Sequence, residues 1–375
     1  MSGINFSDNI EARSRKLYLQ TSLNEDDRII ISELFDSGRL VVKKEFPLIE
    51  RLKKSEIPEY VESLHLNCIG EIELLYDISL KIKTIKHARS LCELGAQFLK
   101  WNLLDEAISE LELAIKYNLK SGEVYKYLAK AYSKKGGKEE AEIVLKNGIK
   151  AFPEYPDLWM NLGVVCFEQN KLQEAASAFR KAVEINSSYA DALFYISRVF
   201  TEAVLSNRII QGLKDIEECS MMARENLSRA IAISERYRSA GSEKVMRLFH
   251  SNKWKEASVL MDEIIKNIPP VIDLSFDGIF YLNLLYGEKG RNLKSVHDYV
   301  KKLKSLTEKH PDFPDLHNKL GIAYLIECRN LFNRALHHFK KAEDLNPEYE
   351  ESSKNLKLAQ NDGKGLMLLL RAMLK

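Results

Sequence analysis

The chain has 375 residues, 45% of them hydrophobic and 29% charged, with 56 basic residues against 54 acidic ones and a formal net charge of +2. That length allows a sizeable core or two to three domains, while the near-neutral balance gives no general support for nucleic acid or an acidic substrate as partner. No run of ~18 apolar residues occurs, so no transmembrane segment is expected, and residues 1–9 show no basic-then-apolar pattern of a secretory leader.

The N-terminal 50 residues read as a small module of strands. Leu17, Leu19 and Thr21 alternate with Tyr18, Gln20 and Ser22. Arg28-Ile29-Ile30-Ile31-Ser32 and Arg39-Leu40-Val41-Val42 are β-branched runs, and Asp36-Ser37-Gly38 between them is a hairpin turn. The pattern predicts a three-stranded antiparallel β-meander over 16–46. Three strands are too few to be stable alone, so the meander should lean on the next helix or on a partner. Its open edges could pair with a partner strand. Residues 51–87 then turn helical: Val61, Leu64, Cys68, Ile72, Leu75 and Ile78 recur at spacings of three and four. This helix should cap the repeated region that begins at residue 88.

From residue 88 a period of 34 residues appears. Leu94-Gly95, Leu128-Ala129, Leu162-Gly163 and Ile196-Ser197 stand one period apart. Phe98, Tyr132, Cys166 and Phe200 keep the step, as do Ala107, Ala141 and Ala175, then Leu111, Leu145 and Phe179, then Ala114, Gly148 and Ala182. Leu94, Gly95 and Phe98 share one face of a first helix; Ala107, Leu111 and Ala114 share one face of a second. Small residues let the two helices approach, and large ones fill the groove between them. Pro153 closes a unit because proline cannot continue a helix.

These columns resemble the tetratricopeptide repeat (TPR) family, whose signature is W, L-G, Y, A, F, A and P at set spacing. The unit 156–189 matches best, with Trp159, Leu162, Gly163, Ala175, Phe179 and Ala182; it departs at Cys166 and Ser187. The unit 122–155 carries Tyr125, Leu128, Tyr132, Ala141 and Pro153. A late unit, about 314–349, carries Leu320, Gly321, Tyr324, Ala335, Phe339, Ala342 and Pro347, with two extra residues between its helices. In the fourth unit the second-helix columns fall at Ala223, Leu227 and Ala230, 14 residues late. An insert at about 205–219 should lengthen that unit's helices. The fifth unit resumes at Ala257, Met261, Ile264 and Pro269, and a degenerate sixth, about 272–311, keeps Tyr299, Leu303, Leu306 and Pro311. The resemblance implies a mainly α fold: an α-solenoid, a right-handed superhelix of helix pairs, spanning 88–349 in about seven units.

Residues 350–375 read as a closing helix, a break at Asn361-Asp362-Gly363-Lys364-Gly365, and an apolar tail, Leu366 to Leu374. The tail could pack on the last repeat or join copies into a homo-oligomer through 366–374.

Signs of chemistry are absent. Gly136-Gly137-Lys138 lacks the earlier glycine and following hydroxyl of a phosphate loop, since Tyr132 and Glu139 stand there. No dinucleotide fingerprint, and hence no cofactor, is indicated. His337 and His338 are adjacent and point about 100° apart on a helix, which does not make a metal site. Cys68, Cys92, Cys166, Cys219 and Cys328 form no CxxC pair, which suggests buried thiols in a reducing, cytoplasmic setting.

The family resemblance instead implies a protein or peptide partner held along the first helices. In successive units the surface positions are Arg89, Cys92, Ala96 and Leu99; Glu123, Lys126, Lys130 and Ser133; Asp157, Met160, Val164 and Phe167; Asp191, Phe194, Arg198 and Thr201. Lys126, Lys130 and Arg198 mixed with Met160, Phe167 and Phe194 would suit an acidic, partly apolar segment. One TPR subgroup grips the carboxylate end of chaperones through Lys, Asn, Asn, Lys and Arg. Here Lys126 and Asn161 fit that set, while Lys130, Asp191 and Tyr195 replace the rest. The sequence therefore argues for a non-enzymatic adaptor or scaffold, with a self-associating assembly or secretion-chaperone component that uses the apolar C-terminal tail as the alternative.

Overall fold

The computed structural model describes residues 4–12, 15–49, 52–268, 275–287, 293–348 and 350–373, with the backbone alone at 275, 276, 293, 362–364 and 366–373. The chain divides into two compact units, one comprising Met1–Leu75 and Ile82–Asp273 and the other Tyr76–Lys81 and Leu274–Lys375.

The first unit opens with strands β1 (Asn5–Ala12), β2 (Arg15–Asn24), β3 (Ile29–Asp36) and β4 (Arg39–Pro47), paired antiparallel in sequence order. Leu17, Leu19 and Thr21 point inward from β2, and Ile30, Ser32 and Leu34 from β3, all of them buried. The β3–β4 turn holds Ser37 at φ 52° and Gly38 at φ 83°, the doubly left-handed turn that suits a two-residue hairpin. The sheet has four strands rather than three. β1 escapes the sequence pattern because NFSDNIEA contains no β-branched run, and only Ile10 and Ala12 of it are buried. Its inner face meets α1 (Ile57–Ile85), where Val61 packs with Ile30 and Leu48. His65, fully enclosed, bonds Thr21 Oγ1 at 2.9 Å and Asp8 Oδ2 at 3.1 Å.

Helix pairs follow: α2 (Ala88–Lys100) with α3 (Leu104–Lys116), α4 (Gly122–Lys135) with α5 (Lys138–Ala151), and α6 (Pro156–Glu168) with α7 (Leu172–Ile185). Each first helix ends on a left-handed residue, Asn102 (φ 55°), Gly136 (φ 97°) or Asn170 (φ 59°), itself spaced by the 34-residue period. The next N–H then reaches back to a carbonyl, as from Leu103 to Phe98 at 3.0 Å and from Lys171 to Cys166 at 2.9 Å. That closes the helix in the usual C-terminal motif. Within pairs the packing is tight: a Cβ on Gly95 would lie 2.5 Å from Leu111, and one on Gly163 would lie 2.5 Å from Phe179.

The fourth pair is α8 (Ala190–Leu205) with α9 (Ile216–Ile233). The insert splits between slightly longer helices and a loop, 206–215, that buries Ile210 in the core. Helices α10 (Ala240–His250) and α11 (Trp254–Asn267) form the fifth pair and complete the main core with Phe249, Ala257 and Met261.

Trp101 ties sheet to repeats inside this unit. Its indole N–H donates to Glu71 of α1 at 2.9 Å, and Lys44 of β4 lies over its ring at 3.0 Å. Arg15 of β2 pairs with Asp105 and Glu106 of α3.

The second unit contains α12 (Ser275–Tyr286), α13 (Leu293–Lys309), α14 (Pro314–Leu345) and α15 (Glu350–Met373). Phe280 stacks on Tyr299, and Leu284, Val296 and Ile326 form its core. Two features depart from the sequence reading. The late unit at 314–349 is not a helix pair, because α14 runs unbroken through 32 residues. The place where earlier units put Asn or Gly, eight residues past the Leu-Gly column, is Cys328, and no left-handed residue interrupts the helix there. Likewise α15 continues through Asn361 to Gly365, because glycines inside a helix cost only about 1 kcal/mol each. The side chains of the apolar tail lie outside the described residues.

Candidate interaction surface

The first helices of successive pairs lie side by side, since α4 contacts α2 and α6, and α6 contacts α8. Their shared face gathers the positions singled out from the sequence, but not all on the surface. Lys126 and Lys130 on α4, and Asn161 and Phe167 on α6, are exposed or half-buried. Arg89 on α2 is exposed, whereas Met160, expected on the surface, is buried in the core at 8% exposure.

Phe194 and Arg198 are interior groups. Phe194 has no exposed surface and stacks on Tyr237 at 4.7 Å. Arg198 bonds Asp262 through Nε at 2.8 Å and Nη2 at 3.1 Å, and Glu202 through Nη1 at 3.2 Å. Helix α11 packs on α8 and supplies the Asp262 carboxylate that holds Arg198, while Tyr237 closes over Phe194. The 34-residue period alone does not disclose these contacts. Arg198 still bounds the surface from below, with its guanidinium 5.2 Å from the Phe167 ring centre.

Lys126 is not a free charge. Its Nζ donates to Asp157 Oδ2 at 2.9 Å, and the rings of Tyr127 and Tyr155 lie nearby. Burial opposes its ammonium, but the Asp157 carboxylate more than offsets that, so its pKa sits above the usual lysine value. Lys130 behaves oppositely. Its residue surface is exposed, yet protein atoms crowd it enough to desolvate the ammonium, and Lys134 and Lys126 repel it, so its pKa is lowered. Tyr127 beside them has its phenol pushed up, first by burial and then by Glu123. Tyr195 is pushed up to about 12 by burial, with Asp191 adding to it.

A set of contacts that the sequence reading overlooked orders this face. Tyr189 donates its hydroxyl to Asp157 Oδ1 at 2.8 Å, and Tyr237 donates to Asp191 Oδ1 at 2.7 Å, where Arg236 also bonds at 3.1 Å. Each tyrosine stands just ahead of the following unit and reaches an acid in the first turn of the preceding first helix. The signal was present: Asp157 and Asp191 keep the period, and Tyr237 follows Tyr189 by the period plus the insert. These latches fix the spacing of neighbouring first helices. The accessible groups on the face include two cations (Lys130, Lys134), an acid (Glu123), aromatics (Tyr127, Phe167) and an amide (Asn161).

Residues 127–190 match the family model described as tetratricopeptide repeat. No curated protein matches the chain. Among solved structures, the chain resembles PilF of Pseudomonas aeruginosa at 13% identity, over 62% of this chain and 96% of that one, with a TM-score of 0.38. It also resembles YrrB, described as a TPR protein with an unusual peptide-binding site, at 17% identity, over 54% of this chain and 97% of that one, with a TM-score of 0.37. A third likeness is a tetratricopeptide repeat protein from Parabacteroides merdae, at 16% identity, over 73% and 98% of the two chains, with a TM-score of 0.35.

Proposed function

We propose that this tetratricopeptide repeat protein is a non-catalytic interaction scaffold that holds an acidic, partly apolar segment of a partner protein along α4 and α6. One observation carries the reading. The latched first helices place Lys130, Lys134 and Tyr127 beside Asn161 and Phe167 on one accessible face. Lys126 is already engaged by Asp157, so the partner's carboxylates would meet Lys130 and Lys134 instead. Those two like charges repel each other, and a bound anion relieves that repulsion. An aromatic or aliphatic side chain of the segment would lie on Phe167, whose other side is held by Arg198. Among the described residues no helix is long and apolar enough to cross a membrane.

The test is a fluorescence-anisotropy screen of the full chain against short acidic peptides carrying one aromatic residue. Binding should weaken with added salt and fall about tenfold or more in Lys130→Glu/Lys134→Glu, with the melting temperature unchanged. Binding that ignores both salt and this double substitution would remove the face from consideration.

A further inference from the structure

Helix α14 carries both halves of a repeat hairpin on one straight rod, and its packing columns are left uncovered. In the third pair, Ala175, Phe179 and Ala182 have no exposed surface, whereas the matching Ala335, Phe339 and Ala342 are only partly buried. Phe98, Cys166 and Phe200 are enclosed, whereas the matching Tyr324 is 45% exposed. A Cβ on Gly95 or Gly163 would strike the second helix at 2.5 Å, while one on Gly321 meets nothing within 4 Å. Exposed groups continue as Gly321, Tyr324, Cys328 and Leu331, at spacings of three and four that make a single seam. Helix α15 packs on α14 but leaves that seam open.

We infer that α14 is the interface of a helix-exchanged homodimer, in which the first half of α14 in one copy packs on the second half in a second copy. The two faces of α14 are the two sides of one repeat contact: small Gly321 opposite bulky Phe339, Tyr324 beside Ala335. A closed hairpin would join them within one chain. With the turn replaced by helix, only another copy offers the complementary half at the right spacing. Because each copy supplies both halves, the pairing is self-complementary, and a two-fold axis closes it with two contacts of the kind that holds α6 to α7. The axis passes near the former turn, so the two Cys328 thiols come close together. Cys328 is exposed, while Cys68, Cys92, Cys166 and Cys219 are buried.

The experiment is sedimentation equilibrium of the full chain across the micromolar range, joined to cross-linking with a short bis-maleimide. The wild-type chain should form a dimer that cross-links through Cys328, and Cys328→Ser should abolish the cross-link. Gly321→Leu adds a good helix former where the open helix has free space, so the fold should hold while the dimer weakens about tenfold or more. Cys328→Asn restores the residue that Asn102 and Asn170 supply at the ends of other first helices, Arg329→Gly adds a second helix-breaking position, and the double variant should yield a monomer of unchanged helicity by circular dichroism. A monomer at every concentration overturns the inference. So does a dimer indifferent to both Gly321→Leu and the restored turn, or one lost only on deleting 366–375, which would move the contact to the tail.

Discussion

Gly163 and Phe179 define how closely two helices of a pair can stand. The Phe179 ring occupies the space a Cβ at 163 would need, at 2.5 Å, and Phe179 is itself fully enclosed. Neither partner has room to yield. Gly163→Ala should therefore destabilise the protein by about 1–3 kcal/mol, the usual cost of overpacking, despite alanine's better helix propensity. Chemical denaturation read by far-UV circular dichroism measures this, and a stabilised variant would show that the pair can open. The same residue scale separates two lysines that look alike in the sequence. Lys126 is held by Asp157 and Lys130 is not, and only the neighbouring helix supplies the difference.

At the scale of elements, turns decide where helices end. Asn102, Gly136 and Asn170 adopt left-handed φ at the same place in three successive units, and each releases the chain into a second helix. An alanine there keeps helix propensity, but its Cβ in the left-handed region costs about 1–2 kcal/mol. Asparagine also carries a Cβ but tolerates this region better than alanine, so Asn170→Ala should lower stability by a fraction of that, about 0.5–1 kcal/mol, and Asn170→Gly should restore or exceed the wild-type value. Thermal melts of the three chains compare them directly, and equal midpoints would contradict the role given to the turn. The converse is visible in α14, where Cys328 takes the turn position and the helix runs on. The sequence columns Leu320, Gly321, Ala335 and Phe339 were legible as a repeat, yet they could not reveal that the hairpin was straightened. A column records which face a residue belongs to, not whether the chain turns back between two faces. The strand β1 was hidden for another reason: an edge strand buries little and so carries little pattern.

For the molecule as a whole, long-range pairing matters more than the period suggests. Arg198 of α8 and Asp262 of α11 are 64 residues apart, and their bidentate contact joins the fourth pair to the fifth. Arg198 is enclosed, so removing its main partner strands a buried cation; Asp262 is about half exposed, which softens the loss. Asp262→Ala should cost about 1–2 kcal/mol, and Arg198→Met/Asp262→Ala should recover part of it, because an apolar side chain in that site needs no counter-charge. A double-mutant cycle from urea denaturation gives the coupling, and a value near zero would remove the pair as a brace between α8 and α11. What the sequence alone determined was the mainly helical repeat architecture, the period and its insert, and the β3–β4 hairpin, because each follows from local periodicity and turn chemistry. Which groups stay accessible was decided only by tertiary structure. Phe194 and Arg198 sit on the predicted face yet are enclosed, Phe194 against Tyr237 and Arg198 against Asp262 of α11; Tyr324 belongs to a packing column and is exposed. Accessibility depends on which helix arrives from elsewhere in the chain, and no local pattern encodes that arrival.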